Sequence, residues 1–328
     1  MSNRIGNPEA KSNCITLKQF DQLADYWLNT LIICSIISVL ANSAVIALVL
    51  SYKKLRTIPN FFIVNMCASD LLVPIFFLSR YLIFFRYNVV SLFFCKFVAF
   101  FLLVSMAVSV QSLLVISVHR FYAVVLPIQA RIKKKTSKCT LMIAFIWLFS
   151  IAISVPEIIY RNLYSVNSFG KLCLYSLDHQ DWIVYHLFLV LALVAVPFVT
   201  MSVLYTAIVA TLYKLKKQFR NLQTVNIEIR RKRNLRLTRF LIAAVFNFFV
   251  FYGVYWIVLI LNFGQKTIDY TSCNLIVYYA VTTFPAIYST INPIMYFAFW
   301  KNYRRAFVCT LNACFEYLRP SNRNTCSS

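Results

Sequence analysis

Charge is scarce in this chain: Asp, Glu, Lys and Arg make up 13% of 328 residues, and only ten residues are acidic. With 60% hydrophobic residues and a mean hydropathy of +0.70, the composition suits lipid rather than water and excludes an ordinary soluble domain. No nucleophile with its base, acid–base carboxylate pair or metal-ligand cluster stands out, so an enzyme is not expected. The chain has no Asn-x-Ser/Thr sequon to mark an outer face. Neither repeats nor low-complexity segments announce a second domain. A cleavable signal peptide is not expected either, because residues 1–26 are polar and the apolar run behind them is too long for a signal core. The first helix is therefore expected to serve as its own insertion signal.

What is present is length. Seven apolar runs cover 27–51, 59–85, 92–125, 139–156, 182–212, 240–263 and 275–299. A helix needs about 20 apolar residues to cross a bilayer, so each run is read as one crossing. The fold class expected is an all-α membrane protein, a seven-helix bundle. Its parts are an outer N-terminus over 1–26, a bundle over 27–299, an amphipathic surface helix over 300–310 and a tail over 311–328. Basic residues alternate between the gaps: 24 of the 33 Lys and Arg fall on one side, and the other side holds nine against seven acidic residues. Positive charge collects in cytoplasmic loops, which puts the N-terminus outside and the C-terminus inside. The net charge of +23 sits beside apolar spans rather than on a soluble face, so anionic inner-leaflet lipid or an acidic cytosolic protein is the expected partner, not nucleic acid.

Few polar side chains interrupt the runs, and an ionisable group in hydrocarbon costs at least about 2.5 kcal/mol, so those present mark a functional interior or interhelical contacts. Among them are Asn42, Asp70, Ser109 and Asn292. Around them stand ordered motifs: Ala41-Asn42-Ser43-Ala44-Val45 in the first run and Asn60 through Asn65-Met66-Cys67-Ala68-Ser69-Asp70-Leu71 in the second. Cys95 opens the third run and His119-Arg120-Phe121 closes it. Trp147 marks the fourth, Pro197 and Tyr205 the fifth, and Asn292-Pro293-Ile294-Met295-Tyr296 closes the seventh. In this set and order the chain resembles a rhodopsin-like (class A) G-protein-coupled receptor of the neuropeptide-receptor branch along almost its whole length.

The resemblance implies a plasma-membrane, multi-pass receptor in which Arg120, with Tyr205 and Tyr296, meets a heterotrimeric G protein when the sixth helix swings outward, and in which Pro293 weakens the seventh helix where it bends. It implies a sodium ion held by the oxygens of Asp70, Ser109 and Asn292. It implies a Cys95–Cys173 disulfide, and a Cys14–Cys273 pair as one of three connectivities among the four outer cysteines. Cys309 and Cys314 behind the seventh run are candidates for palmitoylation or for plain lipid contact. Arrestin and receptor kinases are further implied partners, although the tail offers only Ser321, Thr325, Ser327 and Ser328.

Departures from the family pattern concentrate on activation. His119 replaces the usual acid before Arg120, Asn234 replaces a carboxylate on the sixth helix, Tyr252 replaces Trp, Tyr288 replaces Asn or His, and Val254 replaces the kink proline with Gly253 beside it. A weakly locked resting state, with elevated basal signalling, is expected. At the outer ends, Arg80, Leu102, Leu103, Met106, Glu157, His186, Leu189, Tyr255, Trp256, Leu259, Tyr278 and Thr282 are expected to line an aromatic ligand pocket. Leu102 and Ala286 stand where an amine's Asp and a retinal's Lys would, which excludes those ligands. A peptide is the expected ligand. An acidic lipid or carboxylate bound by Arg80 is the alternative, as is a scavenger or arrestin-biased receptor; Arg80 could equally snorkel to headgroups.

Overall fold

The computed structural model describes residues 17–81, 91–127, 136–166, 170–218, 225–263, 277, 280–281 and 283–318. Six helices among them are long and apolar enough to cross a membrane: Asp25–Ser51, Ile58–Ser79, Leu92–Val125, Lys138–Tyr160, His179–Lys217 and Arg231–Leu261. The seventh crossing is described from Phe284 to Phe299. In chain order the elements are α1 (Leu17–Ser51), α2 (Ile58–Asp70), α3 (Leu72–Tyr81), α4 (Leu92–Val125), α5 (Thr136–Tyr160), β1 (Arg161–Val166), β2 (Gly170–Tyr175), α6 (His179–Val190), α7 (Val196–Gln218), α8 (Val225–Phe248), α9 (Val254–Phe263), α10 (Phe284–Phe299) and α11 (Lys301–Leu318).

The third crossing, α4, is the axis of the bundle and packs against α2, α3, α5, α7, α8 and β1. Its residues are buried all round along the middle, from Leu103 to Val110. The fourth crossing is peripheral instead: Leu141, Phe145 and Leu148, spaced i, i+4, i+7, are 72%, 64% and 68% exposed and form a lipid-facing stripe. Polar contacts hold the second, third and fourth crossings together. Trp147 Nε1 donates to Asn65 Oδ1 at 2.8 Å, and Asn65 Nδ2 donates to Ser112 Oγ at 2.9 Å.

Prolines place the irregularities. Pro74 has no N–H for the carbonyl of Asp70, and the second crossing breaks at Leu71 between α2 and α3. Pro197 likewise cannot serve Leu193, and residues Leu191–Ala195 form a π-turn between α6 and α7. Pro293, inside α10, leaves the Ser289 carbonyl without its helical donor. That carbonyl is met by the first helix, where Asn42 Nδ2 donates at 3.1 Å and Ser38 Oγ at 3.3 Å. Asn42 is thus interhelical glue with an identified job. The sixth crossing lacks a proline yet also carries a π-turn, Phe249–Gly253, between α8 and α9. A π-turn is itself a cause of helix bending, so the crossing in which Val254 replaces the kink proline has another source of a bend.

Three differences from the sequence reading concern boundaries. The fourth helix runs past the expected end at 156 to Tyr160, which makes Glu157 helical. The stretch before Trp182 contains an antiparallel hairpin, β1–β2, with Leu163 opposite Cys173. The surface helix expected over 300–310 extends from Lys301 to Leu318.

Candidate functional site

The outer pocket is a small cavity of about 50 Å³ lined from six crossings and the hairpin. Of the residues expected there, Leu102, Leu103, Met106, Glu157, His186, Tyr255, Trp256 and Leu259 line it. Leu189 does not; it is fully buried in the helix core. Tyr278 and Thr282 lie outside the described residues, as does the side chain of Arg80. The cation that does line the pocket is Arg161.

Arg161, the first residue of β1, directly follows the end of the fourth helix, and its Nε donates to Glu157 Oε2 at 2.8 Å. Its guanidinium lies 3.8 Å over the centre of the Tyr175 ring. The Tyr175 hydroxyl donates to Glu157 Oε1, and the Tyr185 hydroxyl approaches the same oxygen at 3.4 Å. Burial holds the Tyr175 phenol well above its ordinary pKa, and the Glu157 carboxylate raises it further against the lowering effect of Arg161, so Tyr175 stays a donor across the physiological range. His186 stacks on Trp182 at 3.9 Å and meets Trp256 edge-on at 5.7 Å. The result is an aromatic box around one ion pair. The Cys95–Cys173 disulfide, with Cα atoms 5.7 Å apart, ties the hairpin that carries Tyr175 to the top of α4. Cys14 and Cys273 lie outside the described residues.

Tyr252 also lines the pocket and packs on Phe248 at 4.9 Å and on Tyr288 at 5.0 Å. Asp70, Ser109 and Asn292 do converge at the next level: Ser109 Oγ donates to Asp70 Oδ1 at 2.8 Å and Asn292 Nδ2 to Oδ2 at 3.0 Å. Asn247 Nδ2, from the sixth crossing, donates to Asn292 Oδ1 at 3.2 Å. Asp70 is fully buried, and none of the ion pairs among the described residues includes it.

On the opposite side lies a second cavity of about 920 Å³, which His119, Arg120 and Asn234 line with the start of α2 and the start of α11. No carboxylate lines it. Among the described residues Arg120 forms no ion pair, and its buried Nε has no hydrogen-bond partner. Tyr205 gives its hydroxyl to a contact with Ser117 Oγ at 2.7 Å rather than to Arg120. Tyr296 is buried against Phe240 and Tyr303. Cys309 is half-buried on α11, and Cys314 is on the same helix with its side chain outside the described residues.

Arg161, Tyr175, Tyr185 and Asn247 are site residues that sequence reasoning missed. The i, i+4 spacing of Glu157 and Arg161 was a usable signal for the pair; the position of Tyr175 was not, because it depends on strand pairing.

A bundle of membrane crossings with a disulfide-framed outer pocket, a buried carboxylate at mid-depth and a basic cytoplasmic cavity defines a multi-pass receptor-like membrane protein. Residues 41–296 match the model of the 7 transmembrane receptor (rhodopsin family). Curated relatives agree: the chain is 26% identical over 285 residues to the Substance-K receptor of Mesocricetus auratus, covering 85% of this chain and 73% of that one. To the Homo sapiens Substance-K receptor it is 24% identical over 322 residues, 95% and 79% of the two chains. To the Cholecystokinin receptor type A of Cavia porcellus it is 32% identical over 189 residues, 55% and 43%. The chain belongs to the rhodopsin family of seven-transmembrane receptors, a family of receptors rather than enzymes, and groups with its neuropeptide branch in the plasma membrane.

Proposed function

We propose that the chain is a receptor for an extracellular peptide and activates a heterotrimeric G protein by outward motion of the sixth crossing. The observation that carries this reading is the position of the π-turn Phe249–Gly253: it contains Tyr252, which lines the outer pocket, and it stands above the helix that bears Arg233 and Asn234 in the cytoplasmic cavity. A ligand that pushes on Tyr252 and Trp256 acts at the softest point of the helix that must move. The similarity to Substance-K and cholecystokinin receptors favours a peptide, and so does a pocket too small for a whole ligand but matched to one inserted side chain.

In this reading Arg120 receives the G protein once the cavity widens, and Tyr205 leaves Ser117 to support the open state. Asp70, Ser109 and Asn292 are the residues that would hold a sodium ion: the buried carboxylate and the Ser109 hydroxyl supply oxygens to a hard cation, and Asn292, which turns its amide nitrogen to Asp70 and its oxygen to Asn247, would supply its own once that amide turned over. Cys309 and Cys314 would take palmitate, and arrestin and receptor kinases would act on the same cytoplasmic face. Sensors of G-protein dissociation, read in cells against an extracellular peptide library, test the proposal. Peptide-evoked dissociation is expected, with Trp256→Ala lowering it. Peptide uptake without dissociation would establish a scavenger instead, and a response confined to fatty acids or other carboxylates would overturn the peptide reading.

A further inference from the structure

The cytoplasmic cavity has properties that protein docking alone does not call for. Six exposed cations line it, from three separate elements: Lys54 and Arg56 before α2, Arg233 and Arg236 on α8, and Lys301 and Arg305 on α11. Arg120 adds a seventh from its wall, and no carboxylate stands among the lining residues. Positive charge near the inner leaflet is ordinary for a membrane protein. Its collection around one concavity, with no acid interspersed, is not.

Uncharged donors point the same way. The cavity is bounded by the first turns of both α2 and α11, whose leading N–H groups, those of Ile58 and Asn60 in α2 where Pro59 has none, have no helical acceptor; Thr57, at the cap of α2, makes no side-chain cap bond. Two lining side chains that are at least nine-tenths buried carry unused donors. The indole N–H of Trp300 and the hydroxyl of Tyr303 have no hydrogen-bond partner among the described residues. Burial raises the Tyr303 phenol above its ordinary pKa, so that group remains a donor. The volume, about 920 Å³, falls within the roughly 300–1,000 Å³ of small-molecule sites.

We infer that this cavity is a binding site for a compact polyphosphate, an acceptor-only ligand carrying several phosphates on a small ring such as an inositol. It is distinct from the outer ligand pocket and holds whether or not the peptide reading does, since it requires neither agonist nor G protein. The same chemistry can arrive as a free inositol polyphosphate or as the headgroup of an inositol lipid. The guanidinium and ammonium groups supply charge, and the helix starts supply directed N–H groups.

The full chain, purified without agonist or G protein, is titrated with inositol hexakisphosphate by calorimetry. Saturable 1:1 binding is expected, weakened at least tenfold by Lys301→Gln with Arg305→Gln and, separately, by Arg236→Gln. Lys214→Gln with Lys216→Gln removes the same charge outside the cavity and is expected to leave the affinity within twofold. Displacement of the probe in nanodiscs containing a phosphatidylinositol bisphosphate, but not in nanodiscs of matched charge made with phosphatidylserine, identifies the lipid source; no displacement identifies the free one. Equal weakening in the cavity and control variants, or no saturable binding, overturns the inference.

Discussion

The carbonyl of Ser289 offers the sharpest test of how this bundle is held together. Pro293 deprives it of a helical N–H, it is fully buried, and in hydrocarbon no water substitutes. Asn42 and Ser38 supply the missing donors across the first and seventh crossings. Replacing Asn42 by Leu keeps the volume and removes the nearer donor. A buried group left short of a partner costs about 1–3 kcal/mol in general, and interhelical hydrogen bonds in membranes average about 0.6 kcal/mol. Two features pull the expectation down: Ser38 remains at 3.3 Å, and the Oδ1 of Asn42 is itself without a partner, so its loss relieves a small strain. About 1 kcal/mol of destabilisation is expected for Asn42→Leu. Pro293→Ala restores the N–H at the fourth residue after Ser289, and in that background the same substitution is expected to cost less than about 0.5 kcal/mol. The assay is a double-mutant cycle on purified receptor without ligand, read by thermal unfolding with a thiol-reactive dye and by denaturing-detergent titration. An equal cost of Asn42→Leu with and without Pro293 refutes the idea that this asparagine answers the proline.

In the outer pocket, Glu157→Gln leaves Arg161 in the aromatic box without its counter-charge; the expected loss is about 2 kcal/mol, below the about 3–5 of a fully buried pair because Arg161 is 12% exposed, and adding Arg161→Met is expected to restore part of the melting temperature. Gly253→Ala introduces a Cβ that meets nothing within 4 Å, so helix propensity alone acts: a stabilisation of about 0.5–1 kcal/mol, with reduced maximal agonist response in the G-protein sensor. Sodium at 100-fold its apparent Kd is expected to stabilise the wild type by about 2.7 kcal/mol in a melting series against potassium, and to do nothing to Asp70→Asn. His119→Asp places a carboxylate beside Arg120 and is expected to lower agonist-free second-messenger output; unchanged output removes His119 from control of the resting state.

Much of the fold was legible because the signal is one-dimensional: run length reports a crossing, and loop charge reports a side. The pocket residues on helices were legible too, since Met106, His186 and Trp256 sit at the outer parts of spans whose faces follow from helical spacing. What depended on pairing between distant segments was not. Tyr175 enters the pocket because Arg161 pairs with it in the hairpin register, and no local pattern encodes that. The use of Asn42 was hidden for the same reason: the residue is visible, but its acceptor lies 247 positions away. Val254 left the bend of the sixth crossing open, because the absence of a proline does not reveal that the backbone forms a π-turn there.

The distribution of prolines also bears on the proposed motion of the sixth crossing. The fifth and seventh crossings carry irregularities imposed by Pro197 and Pro293, which remove specific N–H groups and cannot be undone by a change of conformation. In the seventh, the first helix anchors the freed carbonyl, so that gap in the helical ladder is both permanent and tied down. The π-turn at Phe249–Gly253 has every N–H it needs to return to regular helix, and a Gly that does not resist either state. Its cost lies in backbone rearrangement alone, and it is surrounded by Phe248, Tyr252 and Tyr288, large rings that can repack as it changes. In the proposed activation, a reversible bend between two proline-imposed irregularities would confine motion to the helix that carries Arg233, Asn234 and Arg236 at the edge of the cytoplasmic cavity. Movement there would widen the basic cavity, while the Asp70, Asn292 and Ser109 contacts join the second, third and seventh crossings.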